Sequence, residues 1–272
     1  MPNNAFYEHE MLQKNYDRIL IEKRPNGVAV ATLNKPDKLN AIDPNMHLEV
    51  TQLARDLDED PALKVLVLTG AGRGFCAGGD FSPERSRFSG ERIWREARQL
   101  VDDFLDCEKP IITAMNGPAM GLGATIALLG DVVFAARSAS IGDTHVRIGV
   151  GAGDGGQVYW PLLMGPQRAK YYMMTGDVLT AEEAERQGLV NFVVDDDKLM
   201  EKTMELANRL AEGPSLAISA SKMGINKYIK FVSNLVLPYT LQLEKFNLYA
   251  SKDAEEAMDA FRNRREPQWK GQ

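Results

Sequence analysis

The sequence predicts a layered α/β core followed by a mainly helical C-terminal part, and three observations carry that expectation. β-Rich runs alternate with helical patterns over the first two thirds of the chain. The strand signal nearly disappears from Leu199 onward. Between them, from Asn116 to Gly156, the stretch NGPAMGLGATIALLGDVVFAARSASIGDTHVRIGVGAGDGG breaks regular structure with repeated glycine turns.

Taken in order, RILIEKR, GVAVATLN and KVLVLTG are apolar, β-branched runs bounded by turn formers, and each reads as a strand. Asn45 to Leu57 and Glu91 to Leu105 space their apolar residues as helices do. IITAMNG and VVFAAR supply further buried strands, each closed by a turn signal. Gly117, Gly121 and Gly123 precede the apolar run Ile126 to Leu129, which predicts a strand-to-helix turn with bare backbone facing a cavity. Thr180 with Glu183 makes a capping box, and Gly188 is a natural helix stop. MEKTMELANRLAEG, SLAISASKMGINKYI and DAEEAMDAFRNRR have helical spacing. The change near residue 205 divides the chain into a core, 1–205, that opens with a loose arm, and a helical region, 206–272. No internal repeat, low-complexity tract or nucleotide P-loop is present.

A chain of 272 residues buries a substantial core. Its formal net charge of -6 argues against a nucleic-acid role and gives no general attraction to an anionic membrane. Two cysteines, Cys76 and Cys107, are too few for a disulfide scaffold or a metal cluster and suggest a reducing compartment. Cys76 has no neighbouring base and reads as packing. The first residues lack a secretory pattern and no apolar run is long enough to span a bilayer, so the expected location is cytoplasmic by default. No metal or redox cofactor is expected, since no ligand cluster has suitable spacing.

The chemistry concentrates in the glycine-rich stretch. Exposed N–H groups at its first turn can hold a negatively charged oxygen. Further on, His145, one of three histidines, and Asp154 sit in a loop with few other titratable groups. They form the candidate catalytic pair. His9 lies in the arm, and His47 faces out or packs on an early helix.

LNKPDKLNAID (33–43), GRGFCAGGD (72–80), NGPAMGLGAT (116–125), IGDTHVRIGV (141–150), LTAEEAERQGLVNFVV (179–194) and DAEEAMDAFRNRREP (253–267) resemble, in order, the blocks of the crotonase superfamily of enoyl-CoA hydratases and isomerases. The resemblance implies a spiral of ββα units followed by a helical trimerisation region, with trimers often pairing into hexamers. It implies coenzyme A as part of the substrate, with nothing permanently bound. An oxyanion hole for the thioester carbonyl is implied at the amides of Ala77 and Leu122, where donors act on charge developing in the transition state. The CoA moiety is implied along Lys38, Leu39 and Ala41 and along the loop of Gly78, Gly79 and Asp80. From the C-terminal helices, Lys245, Phe246 and Arg262 are phosphate or adenine contacts under the same reading, or simply solvated surface.

The chain departs from a typical hydratase at both catalytic glutamates: Thr125 stands at the first position and His145 at the second. Hydration needs one group to deprotonate water and another to manage the α-carbon proton, and Thr125 is no carboxylate base. Its hydroxyl serves the site or bonds within its own helix. Asp154 enters where hydratases commonly have a small residue, and it reads as a partner that fixes the His145 tautomer, as a helix N-cap, or as both. The pair is similar to that of 6-oxocamphor hydrolase, a crotonase relative. In that reading His145 activates water for retro-Claisen cleavage of a β-diketone or β-keto thioester. Tyr159 and Trp160 line an acyl pocket or belong to the core. Glu244 reaches the site from the C-terminal helices or lies on a solvated face.

Three functions follow: an acyl-CoA enzyme working through an enolate with non-standard residues, a carbon–carbon hydrolase of a β-dicarbonyl, and a non-catalytic acyl-CoA binder. The partners expected are one of those small molecules and further copies of the chain, as a homotrimer or a dimer of trimers, with neither nucleic acid nor membrane.

Overall fold

A computed structural model describes residues 16–80 and 91–272. The N-terminal arm and His9 lie outside the described residues. The chain runs through β1 (Ile19–Lys23), β2 (Val28–Leu33), α1 (Pro44–Glu59), β3 (Val65–Gly70), α2 (Glu91–Asp106) and β4 (Ile111–Met115). β5 (Ala119–Met120), α3 (Leu122–Leu128), β6 (Val132–Ala136) and β7 (Ser140–Gly142) follow, then α4 (Gly156–Met164) and α5 (Pro166–Thr175). β8 (Leu179–Thr180), α6 (Ala181–Gln187), β9 (Phe192–Val194), α7 (Leu199–Ala211), α8 (Ser215–Ala250) and α9 (Lys252–Asn263) complete it.

The main sheet has the order β1-β2-β3-β4-β6-β9, antiparallel at β1/β2 and parallel from β2 onward. Every residue of β3 (VLVLTG) and β4 (IITAM) is buried. That explains why these strands read as continuous apolar runs: a parallel strand covered on both faces has no solvent side to alternate with. Local chemistry fixes the helix starts. The Asp43 carboxylate accepts the Met46 N–H at 2.9 Å with Pro44 in the first turn of α1. At α6, Thr180 and Glu183 form the expected reciprocal cap and Gly188 takes the left-handed stop.

A second, three-stranded sheet in the order β5-β7-β8 positions the site. Its strands are too short to show a period in the sequence. β5 pairs in parallel with β7 through Ala119↔Ile141 and Met120↔Gly142. This pairing sets the glycine-rich turn before α3 beside the segment that carries Asp143 and His145.

Residue 205 falls inside α7, which packs against β2, β3, β4 and β6 and so covers the main sheet. The part that leaves the sheet is α8, a single 36-residue helix, with α9. Tyr159 and Trp160 on α4 are buried members of the hydrophobic core, with Trp160 fully enclosed and tilted against Tyr172. No helix among the described residues is long and apolar enough to cross a membrane.

Candidate active site

The loop of residues 76–80, where the oxyanion hole is expected, is set by backbone pairing. Cys76 and Ala119 form a parallel bridge, as do Ile42 and Gly79, so residues 76–80 run between the loop after β2 and the turn before α3. The Ala77 N–H donates to the Leu39 carbonyl at 2.9 Å. That bond removes Ala77 from the expected hole, because an amide already engaged within the fold has no proton left for a ligand oxygen. The Gly78 N–H is taken by the Cys76 sulfur. Gly79 is the amide of this loop with no acceptor among the described residues, and Leu122, the first residue of α3, is likewise free as helix N-termini are. Ile42 pairs with the Gly78 carbonyl and the Asp80 N–H, which turns the Gly79 N–H to the opposite side. That is the side of the β5–α3 turn: a methyl on Gly78 would lie 2.7 Å from the Met120 carbonyl and 3.8 Å from the Leu122 nitrogen.

Asn40, inside the Lys38–Ala41 segment, holds this geometry, a role that no spacing in the sequence singles out. Fully buried and in the left-handed region at φ 56°, it donates from Nδ2 to the carbonyls of Ala71, Gly74 and Phe75 at 3.0, 2.8 and 3.1 Å. Its Oδ1 accepts the Lys35 N–H at 2.8 Å. One side chain thus ties the 35–40 loop to the 71–75 loop.

His145 opens a short 3-10 helix, His145–Ile148, just after β7. Its imidazole is enclosed, with 12 % of the side chain exposed, and it lies between two carboxylates. Nδ1 is 2.7 Å from Asp143 Oδ1, and Nε2 is 3.3 Å from Asp154 Oδ2. The expected Asp154 contact is present, but the second nitrogen is not open to act as a base, since Asp143 occupies it. Asp143 escaped the sequence reading because its partner is two residues away and no spacing rule singles it out. A methyl on Gly121 would stand 3.4 Å from His145 Cε1, so the ring lies directly against the turn that supplies Leu122.

Burial on its own would lower the proton affinity of His145, but the facing charges of Asp154 and Asp143 prevail and raise its pKa well above the ordinary 6.5. Burial likewise works against an ionised Asp154. The His145 charge, with hydrogen bonds from Thr125 and the Gly156 N–H, holds it below the usual carboxylate value. Thr125 bonds across the site, Oγ1 to Asp154 Oδ1 at 3.1 Å, and not within its own helix. The cap of α4 is Gly155, with no side-chain cap bond, so Asp154 is not the expected N-cap; it stands one residue before it, near a helix end that favours negative charge.

α8 closes the other side. Thr240 Oγ1 donates to the Gly153 carbonyl at 3.1 Å, and a methyl on Gly153 would lie 2.6 Å from Glu244 Cβ and Oε2. Glu244 therefore packs on the residue before Asp154, within reach of the loop and off the solvated face. Burial pushes the Cys76 and Cys107 thiols up to about 12, which leaves neither as a nucleophile.

The suggested CoA contacts fall into two groups. Lys38, Leu39, Ala41, Gly78, Gly79 and Asp80 cluster: Lys38 Nζ is 3.2 Å and Lys35 Nζ 2.8 Å from the buried Asp80 carboxylate, and Leu39 holds Ala77. Lys245 and Phe246 on α8 and Arg262 on α9 lie elsewhere. Phe246 lines a cavity of 920 Å³ with Met173, Met174 and Trp269, and Arg262 is exposed.

The family model described as enoyl-CoA hydratase/isomerase matches residues 23–272. The chain is 35% identical over 254 residues to 1,2-epoxyphenylacetyl-CoA isomerase of Escherichia coli, covering 90% of this chain and 95% of that one. It is 32% identical over 254 residues to crotonyl-CoA hydratase of Syntrophomonas wolfei, covering 92% and 96%. Among solved structures, an enoyl-CoA hydratase from Mycobacterium avium subsp. paratuberculosis superposes with a TM-score of 0.87 at 27% identity, covering 94% of this chain and 100% of that chain. An enoyl-CoA hydratase/isomerase from Mycobacterium paratuberculosis gives 0.83 at 32% identity, covering 89% and 97%.

Proposed function

Since the chain belongs to the enoyl-CoA hydratase/isomerase family of the crotonase superfamily, we propose that it isomerises an acyl-CoA thioester through an enolate. The amides of Gly79 and Leu122 hold the thioester oxygen as charge develops on it, a contribution on the order of a few kcal/mol from each donor. The observation that carries the reading is the His145–Asp154 contact, 3.3 Å from Nε2 to Oδ2, beside that turn. An isomerisation takes one proton from the acyl chain and returns one to it. The Asp154 carboxylate accepts the first and the His145 Nε2–H delivers the second, so the pair ends with one proton between them, as it began. Hydration fits less well, because the Thr125 hydroxyl stands where a second carboxylate is needed and is spent on Asp154.

Coenzyme A enters as part of the substrate, with the Lys38–Ala41 and Gly78–Asp80 segments as its groove. A homotrimer or dimer of trimers is supported by α8, whose Ile225, Tyr228, Phe231, Leu235, Tyr239 and Phe246 are all exposed at helical spacing. The free thiols of Cys76 and Cys107 support a reducing, cytoplasmic setting.

A retro-Claisen hydrolase of a β-dicarbonyl is the second reading, favoured by the 3.3 Å His145–Asp154 contact. It requires a neutral imidazole to take a proton from water, which two facing carboxylates oppose. Calorimetric titration with acetoacetyl-CoA, competed by free CoA, tests the thioester reading. Saturable, CoA-sensitive binding is expected. Absence of binding transfers the assignment to a free β-diketone.

A further inference from the structure

We infer that Asp143 is the positioning residue of this site: it anchors Nδ1 of His145, keeps the ring a cation and leaves Nε2 as the working nitrogen. The inference rests on the proposed function for its catalytic meaning, but the geometry is independent of the substrate. Asp143 is 1 % exposed, and its Oδ1 receives both the Nδ1–H at 2.7 Å and the His145 backbone N–H at 3.3 Å. Asp154 sits farther from the ring, at 3.3 Å, and divides its oxygens among Nε2, Thr125 and the Gly156 amide. The shorter, two-point contact is the fixed one. The longer, shared contact is the one a substrate carbon can replace.

The other oxygen of Asp143 has no hydrogen-bond donor among the described residues, and it lies 2.3 Å from where a Cβ on Gly156 would stand, so any side chain there would collide with it. A buried carboxylate with one oxygen unpaired is costly unless a positive charge faces it. His145 supplies that charge. Asp143 and Asp154 are the charged groups among the described residues that act on the ring. Thr125 from α3 is neutral, and Glu244 from α8 lies behind Gly153. The packing neighbours α5 and α9 contribute no charge to the ring. The fixed, cationic ring suits proton delivery and disfavours water activation, which separates the isomerase reading from the hydrolase reading.

The test is a proton titration of the histidine rings in the full-length protein labelled with 15N-histidine, with His145→Gln used to assign the signal. In the unaltered protein both ring nitrogens carry protons at pH 8. Asp143→Asn lowers the proton affinity of the ring by about tenfold or more. Gly156→Ala, which displaces the carboxylate without deleting it, lowers it in the same direction and serves if Asp143→Asn does not fold. A neutral ring at pH 8 in the unaltered protein, or a titration midpoint unmoved in the folded variants, overturns the inference. Binding of acetoacetyl-CoA to the same samples keeps the two readings apart. A protein that binds no thioester but shows the shifted midpoint loses the CoA assignment and keeps Asp143. One that binds with an unmoved midpoint does the reverse.

Discussion

The hydroxyl of Thr125 donates to Asp154 Oδ1 across 29 residues of chain, joining the helix after the glycine-rich turn to the loop before α4. Both groups are buried. Thr125→Val keeps the shape and removes the donor, leaving a charged oxygen short of one partner. We expect a loss of about 1.5–3 kcal/mol in unfolding free energy. Denaturant unfolding of the two proteins measures it, and an unchanged midpoint would show the bond to be dispensable.

Leu122→Pro separates the proposed oxyanion donor from the helix it begins. Proline is tolerated at the first helical position and carries no N–H. Turnover of an enoyl-CoA substrate is expected to fall about 10²–10³-fold with circular dichroism little changed. Turnover at the original rate would sink the Leu122 assignment.

Asn40→Ala strips partners from three carbonyls and one amide at once. The expected cost is about 3 kcal/mol, the scale for buried polar groups left unpaired. Thermal unfolding reads it, and a loss of acetoacetyl-CoA binding in protein that is still folded would tie Asn40 to the Gly79 amide.

Charge at His145 makes stability depend on pH in a definite direction. Its folded pKa is raised above 6.5, so its pairing contributes fully below about that pH and is lost as pH rises through the folded value. Asp154 runs the other way, contributing above its ordinary 3.8 and losing that contribution as pH falls through its lowered folded value. The stability difference between the unaltered protein and His145→Gln is therefore expected to be largest between these limits and to shrink at alkaline pH. Denaturant midpoints across pH 5 to 10 test this, and a difference that grows with pH contradicts it.

Tyr239→Glu on α8 places a charge in the middle of the exposed apolar stripe. If that stripe joins copies of the chain, the mass measured by light scattering falls to that of one chain. An unaltered mass assigns the stripe another partner.

Much of this architecture is written in the sequence because it depends on local rules. β2, β3 and β4 announce themselves through apolar runs, and α6 through its capping box. The contact between His145 and Asp154 follows from two titratable groups in one glycine-rich loop. What escaped depends on pairing between distant loops. Ala77 and Gly79 stand two apart in one motif, and only the bond from Ala77 to Leu39 decides which amide is left over. β5, β7 and β8 are two or three residues long, below any period. Asn40 is one polar residue whose four contacts reach back to Lys35 and forward to Phe75.

The two carboxylates that face His145 also limit how this site can change over generations. Replacing His145 alone by glutamate, the residue a typical hydratase has there, would gather three carboxylates in one enclosed space, with no cation to balance them. Asp143 and Asp154 would have to be neutralised first, and each of those steps on its own removes a charge that raises the proton affinity of His145. The route between the two chemistries is therefore ordered, and substitutions that are damaging singly become acceptable only in company. A laboratory selection for hydration starting from this chain should recover changes at 143, 145 and 154 together.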